Sequence, residues 1–293
     1  MPMYELEQVG ANTYYIDCPA KIGVYLDGVD AYLIDSGSDK DAGRKIRQIF
    51  DKNGWNLKAV FNTHSNADHI GGNKYLQGQT DCKIYARGIE RDFTEHPILE
   101  PSFLYGGYPC KELRHKFLLA HESEADYLDE SVLPDGIKML PLPGHFFDMV
   151  GFRTADNVVF LADCLSSSET LEKYKIGFIY DVGAYLKTLE AVEKMQAEMF
   201  VPAHAEATEN IAPLARLNIE KVMEVSEKIT ELCREPMIFE KILKKLFDDF
   251  GLKMNFEQYV LVGSTVRSYL AWLKDEGKLS AEFKENSLLW RTI

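Results

Sequence analysis

Six residues stand out for the chemistry they could do together. His64, Asp68 and His69 fall within six positions, and His145, Asp163 and His204 follow at wide intervals. A hydrolytic metal centre needs neutral imidazoles and carboxylates converging on one point, with a position left open for water. A divalent ion so held lowers the pKa of its water from about 15.7 toward about 7 and polarises a carbonyl or phosphoryl oxygen. No Ser or Cys nucleophile is then required. A lone histidine is more often a satisfied polar side chain, and His96, His115 and His121 are read that way. Asp68 could instead serve a helix N-terminus, and Asp163 could cap a strand-to-loop turn. Beside four histidines, the ligand reading of both is the stronger one.

The elements that must position these residues follow from local pattern. "NTYYID", "IGVYLDG" and "DAYLIDSGS" are strand-like runs separated by Gly and Asp. "DAGRKIRQIFDKNG" spaces Ile46, Ile49 and Phe50 as a helix and stops at Gly54. "LKAVFNTH" returns to a strand that runs into the histidine cluster, and "THSNADHIGGNKYL" enters a helix-like stretch. "GIKMLPLPGH" reads as a strand ending at His145. "GFRTADNVVFLADCL" reads as a hairpin whose second strand ends at Asp163, and "AEMFVPAHAE" as a strand ending at His204. Four strands that each end in a candidate ligand suit a β-sandwich whose loops gather at one edge. Residues 88–131 hold aromatic residues among charges and read as an insertion near the site mouth, either a surface excursion or a substrate wall. From about residue 214 the pattern is three helices and a terminal hairpin turning at Glu285-Asn286-Ser287.

The spacing resembles the metallo-β-lactamase superfamily, whose signature is H-x-H-x-D-H followed by a distant His, a distant Asp and a final His. This chain reads His64-Ser65-Asn66-Ala67-Asp68-His69, then Gly144-His145, Asp163 and His204, with Gly71-Gly72 after the first motif. The resemblance spans roughly residues 4–210. It implies an α+β fold, an αββα sandwich over residues 1–213, followed by a mostly helical, winged-helix-like domain over 214–293. It also implies one or two divalent metals, zinc first and iron or manganese as alternatives. Asp68, His69 and His204 would hold the second metal position, Asp163 would bridge, and His64 and His145 would serve the first. Asp68 would also orient the water and take a proton. Asn66 stands where the family has its second His, so the first position is depleted. An amide oxygen is a weaker zinc ligand than imidazole, and Asn66 is at most a weak donor. Asp35 resembles a family Asp that braces the metal loop. Cys164, next to Asp163, is read as packing behind the site. Tyr180 and Tyr185 lie where relatives place substrate contacts, although core packing accounts for at least one of them.

Composition narrows the partners. The net charge is −13, and residues 214–293 carry 13 Lys+Arg against 13 Asp+Glu, so the acidic excess lies before them. That balance counts against nucleic acid as a partner. No apolar run could span a bilayer and no leader precedes the first strand, so a cytoplasmic protein without membrane association is expected. Five widely spaced cysteines without a C-x-x-C argue against a disulfide framework. The expected function is metal-dependent hydrolysis of a small acyl compound, a thioester as in the glyoxalase II-like branch or a lactone. An RNA-processing metallo-endonuclease and a non-catalytic metal-stabilised binding protein are the alternatives. The C-terminal region, with few cations on its third helix, is expected to pack on the catalytic domain or on a second subunit, which leaves a homodimer open.

Overall fold

The computed structural model describes residues 4–293. A seven-stranded sheet takes its strands in chain order: Glu5–Gln8 (β1), Thr13–Asp17 (β2), Ile22–Asp27 (β3), Asp30–Ile34 (β4), Asn56–Phe61 (β5), Lys83–Ala86 (β6) and Asp126–Tyr127 (β7). The first four are antiparallel neighbours, and β4 to β7 run parallel. A four-stranded sheet holds Ile137–Pro141 (β8), Val150–Thr154 (β9), Val158–Ser166 (β10) and Met199–His204 (β11), in the order β11-β10-β9-β8. Helices Lys40–Asn53 (α1), Ala67–Ile70 (α2) and Asn73–Thr80 (α3) fall within the parallel crossings, as parallel strands require. Ile89–Glu95 (α4) and Leu99–Tyr105 (α5) lie in the crossing from β6 to β7.

Period-two alternation in the first sheet builds two cores. Ile22, Val24 and Leu26 of β3, with Leu33 and Val60, pack with Ile46 and Phe50 of α1 and Leu76 of α3. Their neighbours Tyr25, Ile34, Ala59 and Phe61 face the other way and pack with Phe152, Val158, Phe160 and Val201 of the second sheet. One stretch of sequence thus feeds both faces, which is why β3 is buried along almost its whole length. This is an α+β sandwich with helices α1 and α3 over one outer face. The segment 88–131 is more than a surface excursion. It contributes β7 to the sheet edge, and its two helices bury Glu90, Phe93, Thr94, Glu100, Pro101 and Leu104.

The chain divides into two compact units. One holds the sheets and comprises residues up to Pro143, Phe147–Leu165 and Met195–Ile211; the other comprises Gly144–Phe146, Ser166–Lys194 and Ala212–Ile293. Residues 166–194 therefore group with the C-terminal helices and not with the stretch before residue 213. Hydrogen bonding gives the reason. Within the second unit are Ser168–Tyr174 (α6), Val182–Glu193 (α7), Ala212–Leu232 (α8), Phe239–Asp249 (α9) and Phe256–Asp275 (α10). Asn218 of α8 accepts from the Ser166 N–H and donates to its carbonyl, both at 2.9 Å. The Ile179 N–H donates to Thr265 Oγ1 of α10 at 3.0 Å, and Ser268 Oγ donates to the Tyr180 carbonyl at 2.7 Å. The terminal hairpin, Leu279–Lys284 (β12) with Ser287–Thr292 (β13), turns at Glu285-Asn286, both at positive φ. No helix among the described residues is long and apolar enough to cross a membrane.

Gly23 of β3 lies close against β10, because a Cβ there would lie 2.7 Å from the Phe160 ring. Gly23→Ala is expected to lower unfolding free energy by about 1–3 kcal/mol through overpacking. Urea denaturation should show a lower midpoint at an unchanged m-value. An unchanged midpoint would mean that the sheets separate without cost.

Candidate metal centre

The site begins where β5 ends. Phe61 closes the strand, and His64 follows three residues later on the loop into α2. Beyond the strand the backbone is held by one buried carboxylate. Asp35, 3% exposed, accepts from the Thr63 N–H at 2.8 Å and the Thr63 hydroxyl at 2.7 Å, and its Oδ2 stands 2.8 Å from His69 Nδ1. Asp35 sits at φ 66°, a left-handed conformation that Asp tolerates better than most residues. Ser36 fixes the other end of the loop, its N–H donating to the His69 carbonyl at 2.8 Å. Gly71 and Gly72 permit that closeness. A Cβ on either would come within 2.3 Å of backbone atoms of Ser38 or Ser36. The glycines that follow the motif are thus required by contact between two loops.

Each of the three candidate-ligand histidines in the sheet-bearing unit has its Nδ1 engaged. His64 Nδ1 is 3.0 Å from Thr63 Oγ1, His69 Nδ1 meets Asp35, and His204 Nδ1 is 2.8 Å from the Pro19 carbonyl. An imidazole tied through Nδ1 presents Nε2, the arrangement seen around protein-bound metals. The Nε2 atoms of His69 and His204 share two carboxylates. Asp163 Oδ1 is 3.0 Å from His69 Nε2, and its Oδ2 is 3.2 Å from His204 Nε2. Asp68 Oδ2 lies 3.8 Å and 3.3 Å from the same two nitrogens. Ligand atoms of Asp68, His69 and His204 all fall within 4.8 Å of one another, as do ligand atoms of His64 and Asp163. His145 belongs to the second unit, on Gly144–Phe146, with its ring edge-on to Phe178 at 5.4 Å.

Two strand ends differ from the sequence expectation. β8 stops at Pro141, four residues before His145. β10 continues through Asp163 to Ser166, so Asp163 lies inside a strand, and Ala162 before it takes φ 49°. That left-handed residue locally breaks the alternation of the strand. A strained backbone conformation at a cluster of polar side chains is a common mark of function. β11 does end at His204. Cys164 is fully buried, and burial raises its thiol far above the ordinary range, so it packs as a hydrophobe. Tyr185 is 6% exposed and also packs in a core.

The electrostatics suit a cation. Burial alone would raise Asp163 and Asp68, but the His204 and His69 imidazoles hold both carboxyls well below the ordinary range. Burial opposes charge on the imidazoles too, yet Asp163 and Asp68 raise His69 well above its usual value and His204 to about 10. His69 Nε2 is buried and, although 3.0 Å from a carboxylate oxygen, forms no hydrogen bond of acceptable angle. A buried imidazole nitrogen that faces two carboxylates fits a divalent metal that both residue types would ligate. Protons and metal would compete for these groups.

Two further residues are not legible in the sequence. Glu90 Oε2 accepts from the Ser65 N–H at 2.9 Å and the Ser65 hydroxyl at 2.5 Å, while its Oε1 accepts from the Asp148 N–H at 2.9 Å. Burial raises this carboxyl to about 7. Glu100 Oε1 accepts from Asn66 Nδ2 at 2.8 Å, and the Ala67 N–H donates to the same carboxylate. Both sit among charges in a segment that looks solvated. The available signal was helical spacing, since Glu90 shares a helix face with Phe93 and Thr94.

Residues 12–204 match the metallo-β-lactamase superfamily. The chain belongs to this family. A Bacillus subtilis protein named as a probable metallo-hydrolase is 26% identical over 208 residues, covering 68% of this chain and 89% of that one. A hydroxyacylglutathione hydrolase of Methylococcus capsulatus is 26% identical over 196 residues, 65% of each chain. Among solved structures, a beta-lactamase domain protein from Burkholderia ambifaria superposes with a TM-score of 0.73 at 16% identity, covering 100% of this chain and 95% of that one. A metallo-beta-lactamase family protein from Thermus thermophilus gives 0.69 at 15%, over 99% and 98%. At such identities these two show the fold alone.

If Asp35 orients His69 as the distances indicate, Asp35→Ala should weaken divalent-metal uptake about 10–100-fold. Chelator-competition titration measures this. Wild-type affinity in that variant would remove Asp35 from the account.

Proposed function

We propose that this chain is a metal-dependent hydrolase of a small acyl substrate, a thioester or a lactone. The observation that carries the reading is the meeting of Asp68, His69, Asp163 and His204, with their imidazole and carboxylate donors 3.0–3.8 Å apart. In this reading Asp68, His69 and His204 would hold the ion of the second position, His64 would serve the first, and Asp163 would contribute to both. His145 enters through its place in the motif. Asn66 supplies at most its amide oxygen. The donor set favours zinc, with iron or manganese as alternatives. The hydroxyacylglutathione hydrolase name of one relative, which describes a thioester substrate, supports the acyl class.

A divalent ion held there supplies water of lowered pKa and Lewis-acid polarisation of the substrate oxygen. The chain's own residues do the rest. Asp68 is the most exposed of the four, its side chain 36% accessible against 12% for Asp163. It is therefore the carboxylate that can both orient an incoming water and receive a proton, at Oδ2, which already faces His204 Nε2. The two imidazoles beside Asp68 keep it ionised. Asp35 and the Pro19 carbonyl hold the two rings still, so that little reorganisation is needed at the moment of reaction.

Two outcomes test the reading. Metal removal with a chelator should lower the melting temperature and abolish turnover, because an ion that binds only the folded state stabilises it by mass action. Unchanged melting after verified removal would reject an integral metal. On a panel of thioester, lactone, phosphodiester and single-stranded RNA substrates, acyl compounds should be turned over. On the best of them, Asp68→Asn should lower kcat by about 10²–10⁴-fold with little change in KM. Turnover of RNA alone would move the chain to nucleases, and turnover of none would favour a binding protein.

A further inference from the structure

The loop from His64 to His69 has three residues between its first histidine and Asp68, and all three are gripped from the same place. Glu90 of α4 takes the Ser65 N–H and hydroxyl. Glu100 of α5 takes the Asn66 side-chain amide and the Ala67 N–H. Both glutamates are buried, at 0% and 4% exposure, and neither belongs to the metal motif. A buried carboxylate is retained at high desolvation cost unless donors meet it. Here the donors come from the metal loop itself. The segment 88–131 thus braces that loop.

The geometry points to Glu100 as a positioning residue for the first metal position, acting through Asn66. This rests on the metal-hydrolase reading above. The amide of Asn66 is a fork with a donor on one arm and an acceptor on the other. With Nδ2 given to Glu100 Oε1, the atom residue 66 can offer a cation is Oδ1, and the carboxylate fixes where that oxygen stands. Residues 66 and 100 are therefore one device. Without Glu100 the Asn66 amide loses the acceptor that holds its Nδ2, and without Asn66 the buried Glu100 loses a donor. The pair substitutes an oriented oxygen for an imidazole at one corner of the first position, making it harder and more weakly zinc-binding than the second.

The experiment is Zn²⁺ titration against a chelator on the full-length wild type, Asn66→Ala, Glu100→Ala, Glu100→Gln and the Asn66→Ala/Glu100→Ala double variant, with melting temperatures of each metal-free protein. Wild type should take a tight and a looser equivalent. Glu100→Ala should weaken the looser one about 10–100-fold and leave the tight one unchanged. Glu100→Gln, which keeps an acceptor oxygen, should stay close to wild type. In the Asn66→Ala background, Glu100→Ala should add no further loss, because coupled residues fail to add in a double-mutant cycle. Unchanged zinc affinity in Glu100→Ala, or losses that add in the double variant, would overturn the proposal. If Glu100→Ala does not fold, Glu100→Leu fills the space without an acceptor and must show the same selective loss; equal loss of both equivalents would also overturn it. A wild-type protein that binds no zinc would instead sink the hydrolase reading, so the two failures are distinct.

Discussion

One buried carboxylate organises the centre. Asp35 receives a backbone N–H and a hydroxyl from Thr63 and the Nδ1 side of His69, all within 2.8 Å. Thr63 in turn contacts His64 Nδ1, so one aspartate sets the orientation of two rings. A charged group at 3% exposure is tolerable only when its lone pairs are filled, and here the groups that fill them are those the site must aim. Loss of that anchor would leave two imidazoles free to turn and a backbone N–H unsatisfied. The sheets make the anchor possible: β4 delivers Asp35 and β5 delivers Thr63 as parallel neighbours, their ends side by side.

The motif was legible because its chemistry is local. His64, Asp68 and His69 are read from spacing alone, and His204 ends β11 as its pattern of Phe200, Val201 and Ala203 suggests. The spacing predicts a strand end at Asp163, but β10 runs on to Ser166. Nothing in "FLADCL" announces that Ala162 adopts a left-handed conformation, which tertiary packing imposes. Glu90 and Glu100 were invisible for a different reason. Their partners lie 25 and 34 residues away, and a glutamate among charges reads as solvated until the loop it supports is seen. The grouping of residues 166–194 with the C-terminal helices escaped for the same reason, since it depends on Asn218, Thr265 and Ser268 reaching back along the chain.

The site also shows how a cluster of opposite charges can be assembled before any ion arrives. Asp68 and Asp163 repel each other, and burial penalises both. The His69 and His204 imidazoles beside them pull both carboxyls down, and the carboxylates in turn raise the imidazoles. A cation bound by these groups would compete with protons for the same atoms.

The chain alternates between the two compact units. The chain passes between them after Pro143, Phe146, Leu165, Lys194 and Ile211. Neither is a continuous stretch of polypeptide, and the helical unit lacks most of its residues until the chain has passed Ile211. During synthesis from the N-terminus, the first sheet can form early. The second must wait for β11, and the helical unit must hold open the positions of residues 144–146 and 166–194 until α8 to α10 emerge. Removal of residues 212–293 would leave Gly144–Phe146 and Ser166–Lys194 without the rest of their compact unit.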